Sequence, residues 1–294
     1  LTGTPVQNYL GELWNLLQFL NPGLLGSYEA FAKKYITPEN PDLTALRRMV
    51  QPFILRRTKA EVLDELPEKT EITRLVELSD LEITAYETMR LKIKSELEKE
   101  KALSVNALAY ITRLRQAACA MALVDKKWKD KSSKLQAFVD LLTEILSGGN
   151  RVLVFSQFTS FLALAKQELE AAEIPYFYLD GSTPLRQRDK MVKEFQKGEK
   201  GVFVVSLKAG GLGLNLTSAN YVIHLDPWWN PAIEQQATDR AHRIGQRQNV
   251  TVYRLISAHT IEEKIVRLHK TKRDLADSFL EGTNTAHTIT LDDL

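Results

Sequence analysis

Five short, almost unbroken apolar runs punctuate the second half of the chain: VLVFS from 152, YFYL from 176, VFVVS from 202, YVIHL from 221 and TVYRL from 251. Runs of this length without polar alternation suit strands buried on both faces. Helical patterns lie between them, from Phe158 to Ala172 and from Pro184 to Lys197. The alternation predicts an α/β domain whose parallel sheet is covered by helices on both sides. Ligands of such sheets gather beyond the carboxyl ends of the strands, so the residues that follow each run are the candidates for chemistry.

The first half reads differently. Leu10 to Phe31 is helical on either side of an Asn21-Pro22-Gly23 turn, and Trp14, Leu17 and Phe19 are expected to pack on a neighbouring lobe. Leu81 to Val124 is helical and highly charged; Lys94 and Glu98 stand i, i+4, as on a solvated face. The basic stretch KKWKDKSSK around Trp128 suits a polar linker as well as it suits a DNA-backbone contact. Near the end, Thr260 and Glu263 have capping-box spacing, and Ile261, Ile265, Leu268, Leu275 and Phe279 form one apolar stripe.

The most informative helix opens at Asn230-Pro231, an N-cap followed by the position where proline costs no hydrogen bond. Helical periodicity places Ile233, Ala237, Ala241 and Ile244 within an arc of about 80° as a buried stripe, and His242 points elsewhere. Gln236, Arg240 and Arg243, at i, i+4 and i+7, lie directly beside that stripe. Arginines at the edge of a buried face are placed to reach across a cleft.

Composition narrows the picture. The 294 residues carry a formal net charge of only +2, so any nucleic-acid contact comes from a local patch. The single cysteine, Cys119, excludes a disulfide framework and a thiolate metal cage, and no metal site is expected. No apolar run is long enough to span a bilayer and no signal-peptide pattern opens the chain; a soluble, intracellular protein with no membrane partner is expected.

The run SLKAGGLGLNLTSANYVIHLDPWWNPAIEQQATDRAHRIGQ, from Ser206 to Gln246, resembles motifs V and VI of Swi/Snf-type DNA-translocating ATPases within superfamily-two helicases. Almost the whole chain shares the resemblance, and it implies a RecA-like lobe. Carried over residue by residue, Arg240 and Arg243 would be arginine fingers for the phosphates of ATP, with Gln236 their polar partner. The chemistry fits, since charge on transferring phosphoryl oxygens calls for rigid, bidentate donors. Gly213 and Asn215 would face the nucleotide. Gln157 of motif IV, Ser206, Lys208 and Trp228 would lie towards double-stranded DNA. Thr2, Gly3 and Thr4 resemble motif III, which couples the ATP site to the DNA track. Arg56 and Arg57 fall in the passage between lobes.

The resemblance implies four regions: 1–55 as the end of a first RecA-like lobe, 56–132 as inter-lobe passage and helical protrusion, 133–259 as the second lobe, and 260–294 as a brace helix and tail. The protrusion departs from many relatives at Ala120-Met121, where they have His-Pro. No G-x-x-x-x-G-K-[ST] loop occurs, and Asp64-Glu65 reads as part of a helix ending at Pro67 rather than as a metal-holding acidic pair. ATP and Mg²⁺ are therefore expected to be held mainly by a missing N-terminal lobe, and this stretch alone is expected to be an inactive fragment. A DNA-bound protein is a further expected partner. Two rival readings are an RNA or single-strand helicase lobe and a non-catalytic scaffold.

Overall fold

The computed structural model describes residues 10–38, 41, 43–55, 66–99, 105–198, 201–210 and 214–269. Thr2, Gly3, Thr4, Arg56, Arg57, Asp64, Glu65, Gly213, Leu275, Phe279 and the tail lie outside them. Two compact units are distinguished: Leu1–Asp64 with Trp229–Ala232 and Val266–Leu294, and Glu65–Trp228 with Ile233–Ile265.

In the first unit, helices α1 (Gly11–Leu20), α2 (Tyr28–Tyr35) and α3 (Thr44–Val50) bury one small apolar cluster. The Asn21-Pro22-Gly23 break falls where expected, with Gly23 at φ +85°, a left-handed conformation that glycine adopts without steric cost. The Ser27 hydroxyl accepts from the Ala30 N–H and starts α2. Leu17 is a correction: it is buried among Leu13, Phe31 and Leu46 rather than presented outward. Phe19, on the other face of α1, is 86% exposed.

The second unit contains a six-stranded, all-parallel sheet in the order β1-β6-β5-β2-β4-β3. The strands are β1 (Lys69–Val76), β2 (Val152–Ser156), β3 (Tyr176–Leu179), β4 (Val202–Ser206), β5 (Tyr221–His224) and β6 (Val250–Ser257). Five of them are the apolar runs read above. β1 is an addition: KTEITRLV lies on the sheet edge and is mostly exposed, so its polar composition hides it.

Helices α4 (Asp80–Lys99) and α5 (Val105–Cys119) form the charged hairpin between β1 and the remaining strands. Helices α6 (Ser133–Ser147), α7 (Thr159–Ala171) and α8 (Leu185–Lys197) join the strands that follow. One face of the sheet buries Val152, Val154, Val202 and Val204 with Phe138, Phe161 and Leu162. The other buries Leu153, Phe155, Phe203 and Val205 with Phe195, Leu216 and Ala237. Gly198 ends α8 at φ +92°, and a Cβ there would meet Arg151 Nη2 at 2.2 Å.

Thr183-Pro184 reads as an N-cap and first helical residue, but Thr183 does not cap α8. The helix begins at Leu185 after Pro184, and the Thr183 hydroxyl instead accepts from the Asp180 N–H, because Asp180 closes its own tight turn onto Ser182. A short α9 (Leu207–Gly210) follows β4, α10 covers Pro231–Thr238, and α11 covers 261–269. Asn230 caps α10 through Ala232 N–H at 3.0 Å, as its sequence predicts. At α11, Thr260 Oγ1 accepts from Glu262 and Glu263 from the His259 N–H, one residue off the regular capping box. Ile261 and Ile265 are buried there. Among the described residues no helix is long and apolar enough to cross a membrane.

Candidate functional site

Parallel pairing sends the ends of β2, β4 and β5 to one edge of the sheet. A cleft of about 230 Å³ opens there, lined by Gln157, Leu207, Lys208, Trp228, Ile233, Gln236 and Ala237. Four side chains singled out from sequence thus meet in one place. Leu207 and Ala237 make an apolar floor, while the Lys208 ammonium is exposed at the rim. Ser206 is buried instead, with its hydroxyl accepting from the Ala209 N–H at 3.4 Å to start α9.

Buried polar groups hold the cleft wall. Asp226 accepts from the Ser156 hydroxyl and, at 3.3 Å, from the Gln157 N–H, with Arg115 Nη2 at 4.0 Å. Burial pushes the Asp226 carboxyl up to about 6, against the lowering effects of the Ser156 hydrogen bond and the Arg115 charge. Arg115, from α5, donates to the Pro227 carbonyl at 2.6 Å and packs against the rings of Phe158 and Trp228, 5.5 and 5.4 Å from their centroids. The Trp228 N–H donates to Glu234 Oε1 at 2.8 Å.

Glu234 anchors a second network. Its other oxygen accepts from Arg254 Nε at 2.9 Å, and Arg254 Nη1 donates to Glu71 at 2.9 Å. Lys69 donates to Glu71 at 2.7 Å and to Gln235 at 3.1 Å, tying edge strand β1 to α10. Burial alone would raise the Glu71 carboxyl, but the Lys69 hydrogen bond and the Arg254 charge outweigh it and hold it at about 2.

The arginine segment departs from the expected helix. α10 ends at Thr238, whose hydroxyl meets His224 Nε2 at 3.1 Å, and turns follow. Gln246, buried, donates to the carbonyls of Ala219 and Ala241, and Gly245 turns the chain at φ +100°. Ile244 is consequently 70% exposed, not part of a buried stripe. Ala241 and Ala237 are buried as expected, and His242 Nε2 meets the Pro67 carbonyl at 2.8 Å.

Arg240 is buried, and its Nε has no hydrogen-bond partner among the described residues. Burial and then the charge of Arg243 lower the Arg240 pKa, with Asp239 opposing them. Arg243 is exposed. Asn215 is exposed too, and its carbonyl accepts from Gln196 at 2.8 Å. Arg240 is thus a buried cation with a like-charged neighbour, a pairing suited to an anionic ligand.

Residues 1–123 match the SNF2-related domain and residues 133–245 the helicase conserved C-terminal domain. The chain belongs to the SNF2-related helicase family. The YwqA protein of Bacillus subtilis, described as a candidate ATP-dependent helicase/translocase, is 38% identical over 97% of this chain and 32% of its own length. Chromodomain-helicase-DNA-binding protein 1-like of Mus musculus is 37% identical over 96% of the chain and 33% of its own length. The chain therefore spans about a third of the curated relatives it matches. The Sulfolobus solfataricus SWI2/SNF2 ATPase core in complex with dsDNA aligns with a TM-score of 0.62 at 33% identity, over 96% of this chain and 62% of that one. The parallel sheet of this SNF2-related chain is accordingly RecA-like.

Sequence reading missed Arg115, Asp226, Glu234 and Gln246. Arg115 looked like one more charge on a solvated hairpin, and its ring partners lie far along the chain. Only Gln246 had a local signal, the Gly245 turn beside it.

Proposed function

We propose that this chain is the arginine-bearing half of an ATP-dependent double-stranded-DNA translocase. Arg240 and Arg243 contact the phosphates of ATP when a partner lobe carrying a phosphate-binding loop closes on them. Gln236 supports them, Gly213 and Asn215 approach the nucleotide, and Thr2, Gly3 and Thr4 couple the two sites. Gln157, Lys208 and Trp228 form part of the duplex track, with Ser206 supporting it through α9. The observation that carries this reading is the buried Arg240 guanidinium, whose Nε lacks a partner among the described residues. A cation left in that state favours an incoming polyanion.

In this reading the residues act by position and charge. Buried Arg240 meets phosphoryl oxygens in a low-dielectric setting, and Arg243 brings a second guanidinium. Mg²⁺ and the triphosphate are held mainly by the partner lobe that carries the phosphate-binding loop. With no phosphate loop, the chain alone hydrolyses no ATP. Four regions, 1–55, 56–132, 133–259 and 260–294, serve as first-lobe end, hairpin passage, second lobe and brace; a DNA-bound protein is the target.

ATP turnover by the full-length protein tests the proposal. Arg240→Ala or Arg243→Ala is expected to lower kcat by about 10³-fold with duplex present. Unchanged turnover in both variants would overturn the finger assignment. Stimulation by RNA but not by duplex DNA would replace the substrate.

A further inference from the structure

The Arg115 side chain joins the hairpin α4–α5 to the cleft wall. It leaves α5, is buried, and touches three different things at the sheet edge. Its Nη2 donates to the Pro227 carbonyl at 2.6 Å, its guanidinium carbon lies 5.5 Å from the Phe158 ring centroid, and the same carbon lies 5.4 Å from that of Trp228. Phe158 follows β2, whereas Pro227 and Trp228 follow β5. The guanidinium therefore braces two separate strand exits against a helix inserted elsewhere in the chain. A planar, delocalised cation can face two rings and donate in its own plane at once; an ammonium cannot.

Simple neutralisation of Asp226 does not account for this placement. The Arg115–Asp226 separation is 4.0 Å, longer than the contact to the Pro227 carbonyl, and Asp226 already accepts from Ser156 and Gln157. Burial lowers the Arg115 pKa more than the Asp226 charge raises it, so the site bears a desolvation cost. The bracing of the Pro227-Trp228 segment is the feature that needs a guanidinium here.

We propose that Arg115 is a positioning residue of the cleft, holding Trp228 in the orientation that engages duplex DNA and thereby making the helical hairpin part of the DNA-engaging unit. The inference rests on the reading of the Trp228 cleft as part of the DNA track. Arg115 itself need not touch the nucleic acid.

The test uses the full-length protein and the duplex concentration that gives half-maximal ATP turnover, with thermal unfolding measured in parallel. Arg115→Lys keeps the charge but loses the two-ring packing and the fork. It is expected to raise the half-maximal duplex concentration about tenfold, while the rate at saturating duplex falls by less than about threefold. In a Trp228→Ala background the same change is expected to add less than about twofold, because the two side chains act through one contact. Phe158→Leu, which keeps Arg115 and its hydrogen bond, is expected to shift the duplex requirement about threefold in the same direction, and it carries the test if Arg115→Lys fails to fold. An unshifted duplex requirement in Arg115→Lys or Phe158→Leu, or full additivity with Trp228→Ala, would overturn the positioning role. A wild-type protein indifferent to duplex, or a Trp228→Ala variant with unchanged duplex dependence, would instead overturn the cleft reading beneath it.

Discussion

Two buried cations of the sheet-containing unit make an instructive pair. Lys134, at the start of α6, is fully buried and closed off: Glu262 accepts from its ammonium, and the other Glu262 oxygen accepts from the Cys119 thiol at 3.6 Å. The Ser257 N–H adds a further bond to Glu262 at 2.9 Å. Arg240 is also buried, yet the charges acting on it are a like-charged arginine, Arg243, and the weaker pull of Asp239. The first cation is satisfied by its own chain, whereas the second retains an unmet donor among the described residues. Burial alone therefore does not distinguish a structural charge from a ligand-seeking one. For this pair the hydrogen-bond inventory draws the distinction.

The comparison should break most visibly at Glu262. Glu262→Ala leaves Lys134 buried without its carboxylate and is expected to cost roughly 3–5 kcal/mol, read as a fall in denaturation midpoint. A loss below 1 kcal/mol would show that water or another group takes over.

Acid titration separates two other carboxylates. Glu71, held at about 2 instead of 4.5, contributes stability that is fully present above the unfolded value and is lost as pH falls from about 4.5 towards 2. The contribution is about 3 kcal/mol as an upper bound, reduced by solvent screening of this half-buried group, and Glu71→Gln should remove that part of the acid transition. Asp226 has the opposite sign. Its pKa is raised from 3.8 to about 6, so the folded state binds the extra proton between those values and gains stability as pH falls through 6. Asp226→Asn should erase that gain, and an unchanged slope of stability between pH 7 and 5 would contradict the assignment.

The smallest expected effect completes the pair. Arg240→Ala should change stability by less than about 1 kcal/mol, because it removes a buried charge with no carboxylate bound to it. The same substitution is the one expected to abolish turnover in the full-length protein. A large loss of stability would place Arg240 in the same class as Lys134.

The inner strands were legible as unbroken apolar runs because VLVFS and VFVVS are buried on both faces and tolerate no polar alternation. KTEITRLV escaped because edge burial selects only a few of its residues. Asn230-Pro231 announced the start of α10 through local chemistry. Its end depended on contacts made at a distance, from Thr238 to His224 and from Gln246 to Ala219, which helical periodicity cannot contain. The same distinction governs the site. Gln157, Lys208 and Trp228 were singled out through the family resemblance and Gln236 through its spacing on a capped helix, and the fold brings the four to one cleft. Arg115 was not singled out, since its Pro227 partner lies 112 positions away.

The pairing of β1 with β6 has a consequence for how the chain acquires this shape. Lys69 aligns with Val250 and Val76 with Ser257, so β1 must wait for β6. During synthesis β2, β4, β3 and β5 can assemble as they emerge, whereas β1 and the hairpin behind it remain without their sheet neighbour until β6 has left the ribosome. Contacts across such separations carry a large loop-closure cost and form slowly. The exposed edge of β5 is thus a transient hazard of biogenesis, removed only when β6 arrives.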